Sequence, residues 1–460
     1  MTSFWLQQAL ADDKGLAAPP LVGDIRADVA IVGGGYTGLW TAIEFKERDP
    51  SLHVVLIEKD VCGAGASGAN AGFLVSLWLQ VELLQKLAGA EEASRLCRAA
   101  DDAIAEIPRF ASKEGFGIDH KQTGAIWGAT CEAQSGHWHG MIDMLEKRQV
   151  HLFDVLDGQE IARRTGSRAF VAGVFDRSNA LIHPGRLVRG LRSAALKRGV
   201  VIHEGTRMVR LERGRPPKVV TQNGTITAKK VVLGLNGWSM SVPELAPSIM
   251  VIGTDAAMTE PIPDALQKAG WADGPPLMDS RIFVSGWRTT ADGRVMWTKA
   301  GGVLPYGDRL DPCFPRIKRS ETELRTVLRR IHPSLADKPM AGTWAGPIDR
   351  SKDGLPMFGR LAGHPDILFG YGYSGSGIVL SRLGSRMLAS LALETDDEWS
   401  KAALVRQPVR GFPPEPFRYV GGHMVRTAIE RQDRLEHEGK SPGPLTRALV
   451  AMKPASYKPT

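Results

Sequence analysis

The most constraining feature of this 460-residue chain is a stretch of about thirty residues near its amino end. Asp28-Val29-Ala30-Ile31-Val32 is short, apolar and β-branched, and reads as a strand buried on both faces. Gly33-x-Gly35-x-x-Gly38 follows at once, with Tyr36 and Thr37 inside it. Leu39, Ala42, Ile43 and the stem of Lys46 then repeat at helical spacing. Asp49-Pro50 ends that helix, and His53-Val54-Val55-Leu56-Ile57-Glu58 is a second strand. Strand, helix and strand in this order make a right-handed βαβ unit. Each glycine has a duty: Gly33 permits the turn, Gly35 lets backbone N–H groups approach a pyrophosphate, and Gly38 lets helix and strand touch. The positive end of the helix then faces the phosphates. Glu58, 20 positions after Gly38 and followed by Lys59, can accept ribose hydroxyls and repels a 2′-phosphate. FAD or NAD therefore fits better than NADP. An ordinary glycine turn explains neither the third glycine nor the acid at that distance.

The rest of the chain reads as α/β with a less regular middle. Glu91 to Phe110 is helical, and His183-Pro184-Gly185-Arg186 opens another helix through Leu187, Leu191 and Ala195. Val219-Val220-Thr221-Gln222-Asn223-Gly224-Thr225-Ile226 is a hairpin turning at Asn-Gly. Arg294-Val295-Met296-Trp297 is a strand, and a helix lies near 321–331. Residues 1–27 read as an irregular lead-in ending at Pro19-Pro20. A helix over 423–438 presents Glu430 and Arg434 on one solvated face.

Composition removes several classes. Hydrophobic residues make up 43% and charged residues 23%, which excludes an overall disordered chain. Net charge is only +8, and residues 401–460 alone hold 11 Lys/Arg against 5 Asp/Glu. That pattern describes a basic C-terminal face and predicts no nucleic-acid partner. Cys62, Cys97, Cys131 and Cys313 are widely separated, fitting a reducing compartment and no zinc site. His137-x-His139 would share one side of a strand, but no third ligand accompanies it, so no metal is expected. No apolar run approaches the roughly 18 residues that span a bilayer, and Met1-Thr2-Ser3-Phe4-Trp5-Leu6 has no leader pattern. A cytoplasmic location is the expectation.

One loop separates FAD from NAD. Gly65-Ala66-Ser67-Gly68-Ala69-Asn70-Ala71-Gly72 holds only small residues and one asparagine, so the main chain can lie against a flat ring system. With the phosphate loop and Glu58, this segment resembles the FAD-dependent amine and D-amino acid oxidase family. Trp344-Ala345-Gly346-Pro347-Ile348-Asp349-Arg350 with Gly354-Leu355 looks like that family's segment beside the flavin. Gly370-Tyr371-Gly372-Tyr373-Ser374-Gly375-Ser376-Gly377-Ile378 resembles its C-terminal flavin motif. Arg288, Asp292-Gly293-Arg294 and Gly301-Gly302 match its γ-glutamylputrescine-like branch.

The resemblance implies an FAD-binding Rossmann-type domain of the glutathione-reductase kind, joined to a discontinuous α+β substrate domain with a mixed or antiparallel sheet. The FAD-binding parts are expected at 22–80, 157–245 and 340–400, the substrate parts at 81–156 and 246–339, and a basic extension at 401–460. It adds Met208, Asn236, Gly346, Gly354, Leu355, Gly372, Ser374, Gly375, Gly377 and Ile378 to the cofactor residues. Arg288, Trp344, Arg350 and Tyr373 become candidate substrate contacts, and Lys299 the candidate for oxygen activation. Some relatives tether FAD through a cysteine where Gly346 stands, or through a histidine near Ala69-Asn70-Ala71. Neither is present, so the cofactor is expected to be noncovalent. A lysine and a histidine common near the last glycines are replaced by Val379 and Ser376. Oxidation of a secondary or N-substituted amine to an imine, with O2 or another acceptor, is the implied reaction. Alternatives in the same fold are a D-amino acid dehydrogenase feeding a quinone and a tRNA-modifying oxidoreductase.

Overall fold

In the strand Ile25–Val32 the second half, Val29 to Val32, is buried without exception, as a central parallel strand requires. In the computed structural model, which describes residues 3–13, 15, 17–307, 309–311, 314 and 319–455, it lies between two parallel neighbours. These are Val54–Ile57 on one side and Thr225–Leu233 on the other. Val201–His203 extends the sheet beyond Val54–Ile57, and His364–Tyr371 runs parallel to the end of Thr225–Leu233. The hairpin Lys218–Thr221 and Thr225–Leu233 forms where Asn-Gly places it, and Met208–Glu212 and Met357–Leu361 complete eight strands. Cys313 and Met1-Thr2 lie outside the described residues.

Helices Tyr36–Arg48, Val81–Glu114 and Gly377–Ala392 cover one face of this sheet. A buried guanidinium joins all three. Arg382 Nη1 lies 2.6 Å from Glu44 Oε2, its Nη2 lies 2.8 Å from Glu106 Oε1, and its plane sits 4.8 Å over the Trp40 ring. Burial is offset here because both carboxylates are charged and hydrogen-bonded to the guanidinium.

The second sheet also has eight strands. Its order is Met340–Ser351, Ile249–Thr259, Val295–Ala300, Ser285–Thr289, Leu277–Asp279, Ala125–Ala129, Ala172–Asp176, Phe153–Asp157. Only Leu277–Asp279 and Ala125–Ala129 pair in parallel, so the sheet is mixed, as expected. Trp287, Trp297 and Leu277 bury one face under Leu324 and Leu328 of the helix Glu321–Arg329. Hydrogen-bond register assigns Ala172–Asp176 and Met340–Ser351 to this sheet, so it reaches past the boundaries expected at 157 and 340.

Two local expectations change, at the amino end and at the histidine pair. Residues 1–27 are no irregular lead-in, because Phe4–Asp12 is a helix capped by Ser3, with Trp5, Leu6 and Ala9 buried at helical spacing. His139 begins the helix His139–Glu146, so the His137/His139 pair does not share a strand face. Glu430 and Arg434 are both exposed, as the solvated face requires, and Glu430 pairs with Arg426, 3.2 Å away and one turn earlier. The helix expected over 423–438 is present as Phe417–His437, and with Pro444–Ala451 it buries Ala428, Ile429 and Val450 against Ile282 and Phe283. Among the described residues no helix is long and apolar enough to cross a membrane, and no cluster of metal-binding side chains occurs.

Arg382→Leu strips Glu44 and Glu106 of their shared partner while Arg48 still holds Glu44 at 2.9 Å. The expected loss of unfolding free energy is about 3 kcal/mol, the lower end for a broken buried pair. Urea denaturation reads it as a lower midpoint at unchanged slope. A loss within about 1 kcal/mol would mark the network as no stronger than a surface pair.

Candidate functional site

Where the two sheets meet, a cavity of about 690 Å3 runs from the phosphate loop to the second sheet. At its first end, residues 33–38 turn so tightly that a Cβ on Gly38 would lie 2.0 Å from the Gly33 carbonyl oxygen. Only glycine lets the helix Tyr36–Arg48 start there with its free N–H groups toward the cavity. Tyr36 N donates to Ser67 Oγ at 2.9 Å, tying this loop to the 65–72 segment. Glu58 stands just beyond the strand Val54–Ile57 and accepts from Gly34 N at 2.8 Å and Asp60 N at 3.0 Å. Its burial raises the carboxyl pKa above the ordinary value.

The 65–72 segment is a single helical turn, Ala66–Ala69, closed by Asn70. Asn70 Oδ1 accepts from Gly72 N at 2.8 Å, and its Nδ2 donates to Ser67 O at 2.8 Å. Opposite, Tyr373 OH and Thr37 Oγ1 share a hydrogen bond of 2.6 Å, and Arg350 Nη1 donates to Ser374 O at 2.9 Å. Burial lowers the Arg350 pKa to about 10. Of the expected cofactor residues, Gly33, Gly35, Tyr36, Thr37, Glu58, Lys59, Gly65, Ala66, Ser67, Asn70, Ala71 and Gly72 line the cavity. So do Met208, Asn236, Gly346, Ser374, Gly375, Gly377 and Ile378. Gly38, Gly68, Gly354, Leu355 and Gly372 stand behind that lining and shape the backbone.

Three expected contacts lie elsewhere. Arg288 is buried off the cavity and donates to the carbonyls of Ile182 at 2.7 Å and Ala71 at 3.0 Å. Trp344 donates from Nε1 to Ala69 O at 2.9 Å and packs with Ala256, Met258 and Met296, also outside the lining. Lys299 points to the far side of the second sheet. Its neighbours Thr298 and Ala300 face the cavity, so strand alternation turns Lys299 away, where Nζ donates to Phe283 O at 2.5 Å. Burial there lowers its pKa to about 8.

The structure also brings in residues that sequence reasoning passed over. Asp349 Oδ2 accepts from Gly372 N at 2.5 Å and Oδ1 from Tyr373 N at 3.2 Å, and burial lifts this carboxyl to about 7. Its place between Ile348 and Arg350 was the available signal. At the far end, Asp311 gathers Lys59 at 3.1 Å, Arg207 at 2.6 Å and the Trp238 indole N–H at 2.8 Å. Nothing local in the sequence marks Asp311 for that role.

Comparison with known proteins agrees with this geometry. The family described as FAD dependent oxidoreductase (DAO) matches residues 28–391. γ-Glutamylputrescine oxidoreductase of Escherichia coli is 28% identical over 80% of this chain and 84% of its own. A probable oxidoreductase, OrdL, of Rhizobium meliloti is 27% identical over 89% of this chain and 91% of its own. Among solved structures, glycine oxidase from Geobacillus kaustophilus superposes with a TM-score of 0.69 at 19% identity, over 84% of this chain and all of that one. The last is a likeness of fold.

FAD fits the residues present. Asn236 Oδ1, Ser376 Oγ and Thr254 Oγ1 are buried, face the cavity and have no hydrogen-bond partner within the protein. Such atoms are costly unless a ligand satisfies them. The cofactor is FAD, held noncovalently, and the described lining contains no cysteine or histidine that could form a link. Acid precipitation is accordingly expected to leave all the yellow colour in the supernatant; colour in the pellet would contradict it. Glu58→Ala is expected to weaken FAD binding ten- to a hundredfold, since a hydrogen bond to a charged acceptor is worth about 1.5–3 kcal/mol. Titration of the apoprotein by flavin fluorescence measures this, and an unchanged Kd would place the ribose elsewhere.

Proposed function

Because the chain belongs to the DAO family of FAD-dependent oxidoreductases, we propose that it oxidises the C–N bond of a secondary or N-substituted amine. The observation that carries the reading is the continuity of one cavity from the Gly33–Gly35 turn, past the 65–72 segment, to the strands of the second sheet. A dinucleotide-sized ligand laid along it ends against a wall supplied by the other domain, where a small molecule can be held. The similarity to a γ-glutamylputrescine oxidoreductase and to glycine oxidases supports an amine as that molecule. Bound FAD would take two electrons from the C–N bond, leaving an imine for water to hydrolyse, and pass them to O2 with release of hydrogen peroxide.

The protein's own contribution is positioning and exclusion of water. The helix Tyr36–Arg48 aims its positive end at the diphosphate. Asp349 fixes the backbone of Gly372 and Tyr373 so that Ser374, Gly375 and Gly377 meet the cavity as a rigid edge. Thr254 and Thr298 offer hydroxyls on the sheet side. With Lys299 turned away, that wall offers the amine the hydroxyls of Thr254 and Thr298, which meet it in its unprotonated form. Burial favours the neutral amine for the same reason that it lowers buried lysines.

The test is anaerobic addition of a panel of amines to the yellow protein, followed by visible absorbance. Bleaching by an amine, with fast recovery when air is admitted, is the expected outcome. Recovery only with a quinone or dye would replace O2 as acceptor, and absence of bleaching by every amine would overturn the reading.

A further inference from the structure

Taking amine oxidation at this site as given, we infer that the substrate carries an apolar, uncharged substituent and no carboxylate near the reacting carbon. Strand alternation in the second sheet separates a row that lines the cavity from a row carrying charge behind it. In register across four strands, Trp127 stands beside Met278, Met278 beside Gly286 and Gly286 beside Thr298, and all four line the cavity. One residue along, Asp255 stands beside Lys299, Lys299 beside Ser285, and Asp279 bonds Ser285 N at 2.8 Å. Lys299, Asp255 and Asp279 therefore lie behind the sheet, beside the buried Trp287 and Trp297, and none of them reaches the row from Trp127 to Thr298.

The remaining walls are of the same kind. Phe73 and Val75 continue from the 65–72 segment, and Ile282 and Phe283 close the side. These last two are backed by the apolar face of the tail helices and held by hydrogen bonds to backbone atoms, from Lys299 Nζ to Phe283 O and from Ile282 N to Asp433 Oδ1 at 3.4 Å. Among the described residues of this wall the polar side chains are Thr254 and Thr298, hydroxyls that can meet a neutral amine but cannot neutralise a carboxylate. Arg350 also lines the cavity, yet it is displaced. Thr254 pairs with Gly346, whereas Arg350 stands four residues farther along the same strand, about 13 Å at the usual rise. An anion buried against Met278 or Trp127 would lose its hydration with no partner in return. A benzyl or branched alkyl group would gain by leaving water.

The experiment uses the FAD-loaded enzyme without oxygen and three probes: N-methylbenzylamine, its para-carboxylated form and sarcosine. The expected result is a rate of flavin bleaching per unit concentration at least tenfold higher for N-methylbenzylamine than for either acid. Met278→Lys should reverse the order between the two benzylamines, with an unchanged flavin spectrum showing that the fold is intact. Faster bleaching by either acid would overturn the inference and leave amine oxidation standing. Should no probe bleach the flavin, the oxidation reading loses support, and titration of the flavin difference spectrum still decides the chamber. Tighter binding of the uncharged ring by tenfold or more upholds the inference, and equal or tighter binding of an acid overturns it.

Discussion

A single buried guanidinium holds the seam on which the site depends. Arg288 belongs to the second sheet, but its Nη1 reaches the carbonyl oxygens of Ile182 at 2.7 Å, Ala71 at 3.0 Å and Gly72 at 3.4 Å. Its plane lies 5.5 Å over the ring of Trp5, which the amino-terminal helix brings in. Among the described residues no carboxylate sits within ion-pair distance of it, and burial lowers its pKa to about 10. A guanidinium satisfied by carbonyls is directional, because its donors lie in one plane. It therefore fixes where the 65–72 segment runs relative to the sheet opposite. Gly72 is part of the same fit, since a Cβ there would meet Ile182 O at 2.2 Å and Arg288 Nη1 at 2.6 Å. The expected substrate contact is thus a fastener between the second sheet and the 65–72 segment.

What could be read from the sequence follows from how local the physics is. The βαβ unit, its glycines and Glu58 were legible because a turn, a helix start and a strand end are set by residues within one short window. The 65–72 segment was legible for the same reason, as composition alone gives it small side chains and a close backbone. Lys299 was not. Its strand was recognised, but which of two faces a residue takes depends on register with Asp255 and Ser285, residues 44 and 14 positions away. The chamber was equally hidden, because Phe73, Trp127, Met278 and Phe283 come from separate segments that only sheet pairing assembles. The amino-terminal helix was less legible because Phe4–Asp12 is only nine residues long, and Trp5 and Ala9 give a single repeat of the helical spacing behind the Ser3 cap.

The tail completes this logic. The family match ends at residue 391, yet the helices that follow bury Ala428, Ile429 and Val450 against Ile282 and Phe283, two residues of the chamber wall. Two basic residues of the tail have local partners: Arg418 donates to Pro413 O at 3.0 Å, and Arg426 pairs with Glu430. Its one buried acid, Asp433, faces Lys299 and Arg330 across the back of the sheet, so charge attraction draws the helix Phe417–His437 onto the loop at 280–284. This contact fastens the tail to the chamber wall. It also assigns a cause to the polarity of the sheet. A strand residue that must meet a charged helix behind has neighbours that must face the cavity in front, and pleating leaves no third choice. Securing the tail through Lys299 thereby commits Thr298 and Ala300 to the chamber.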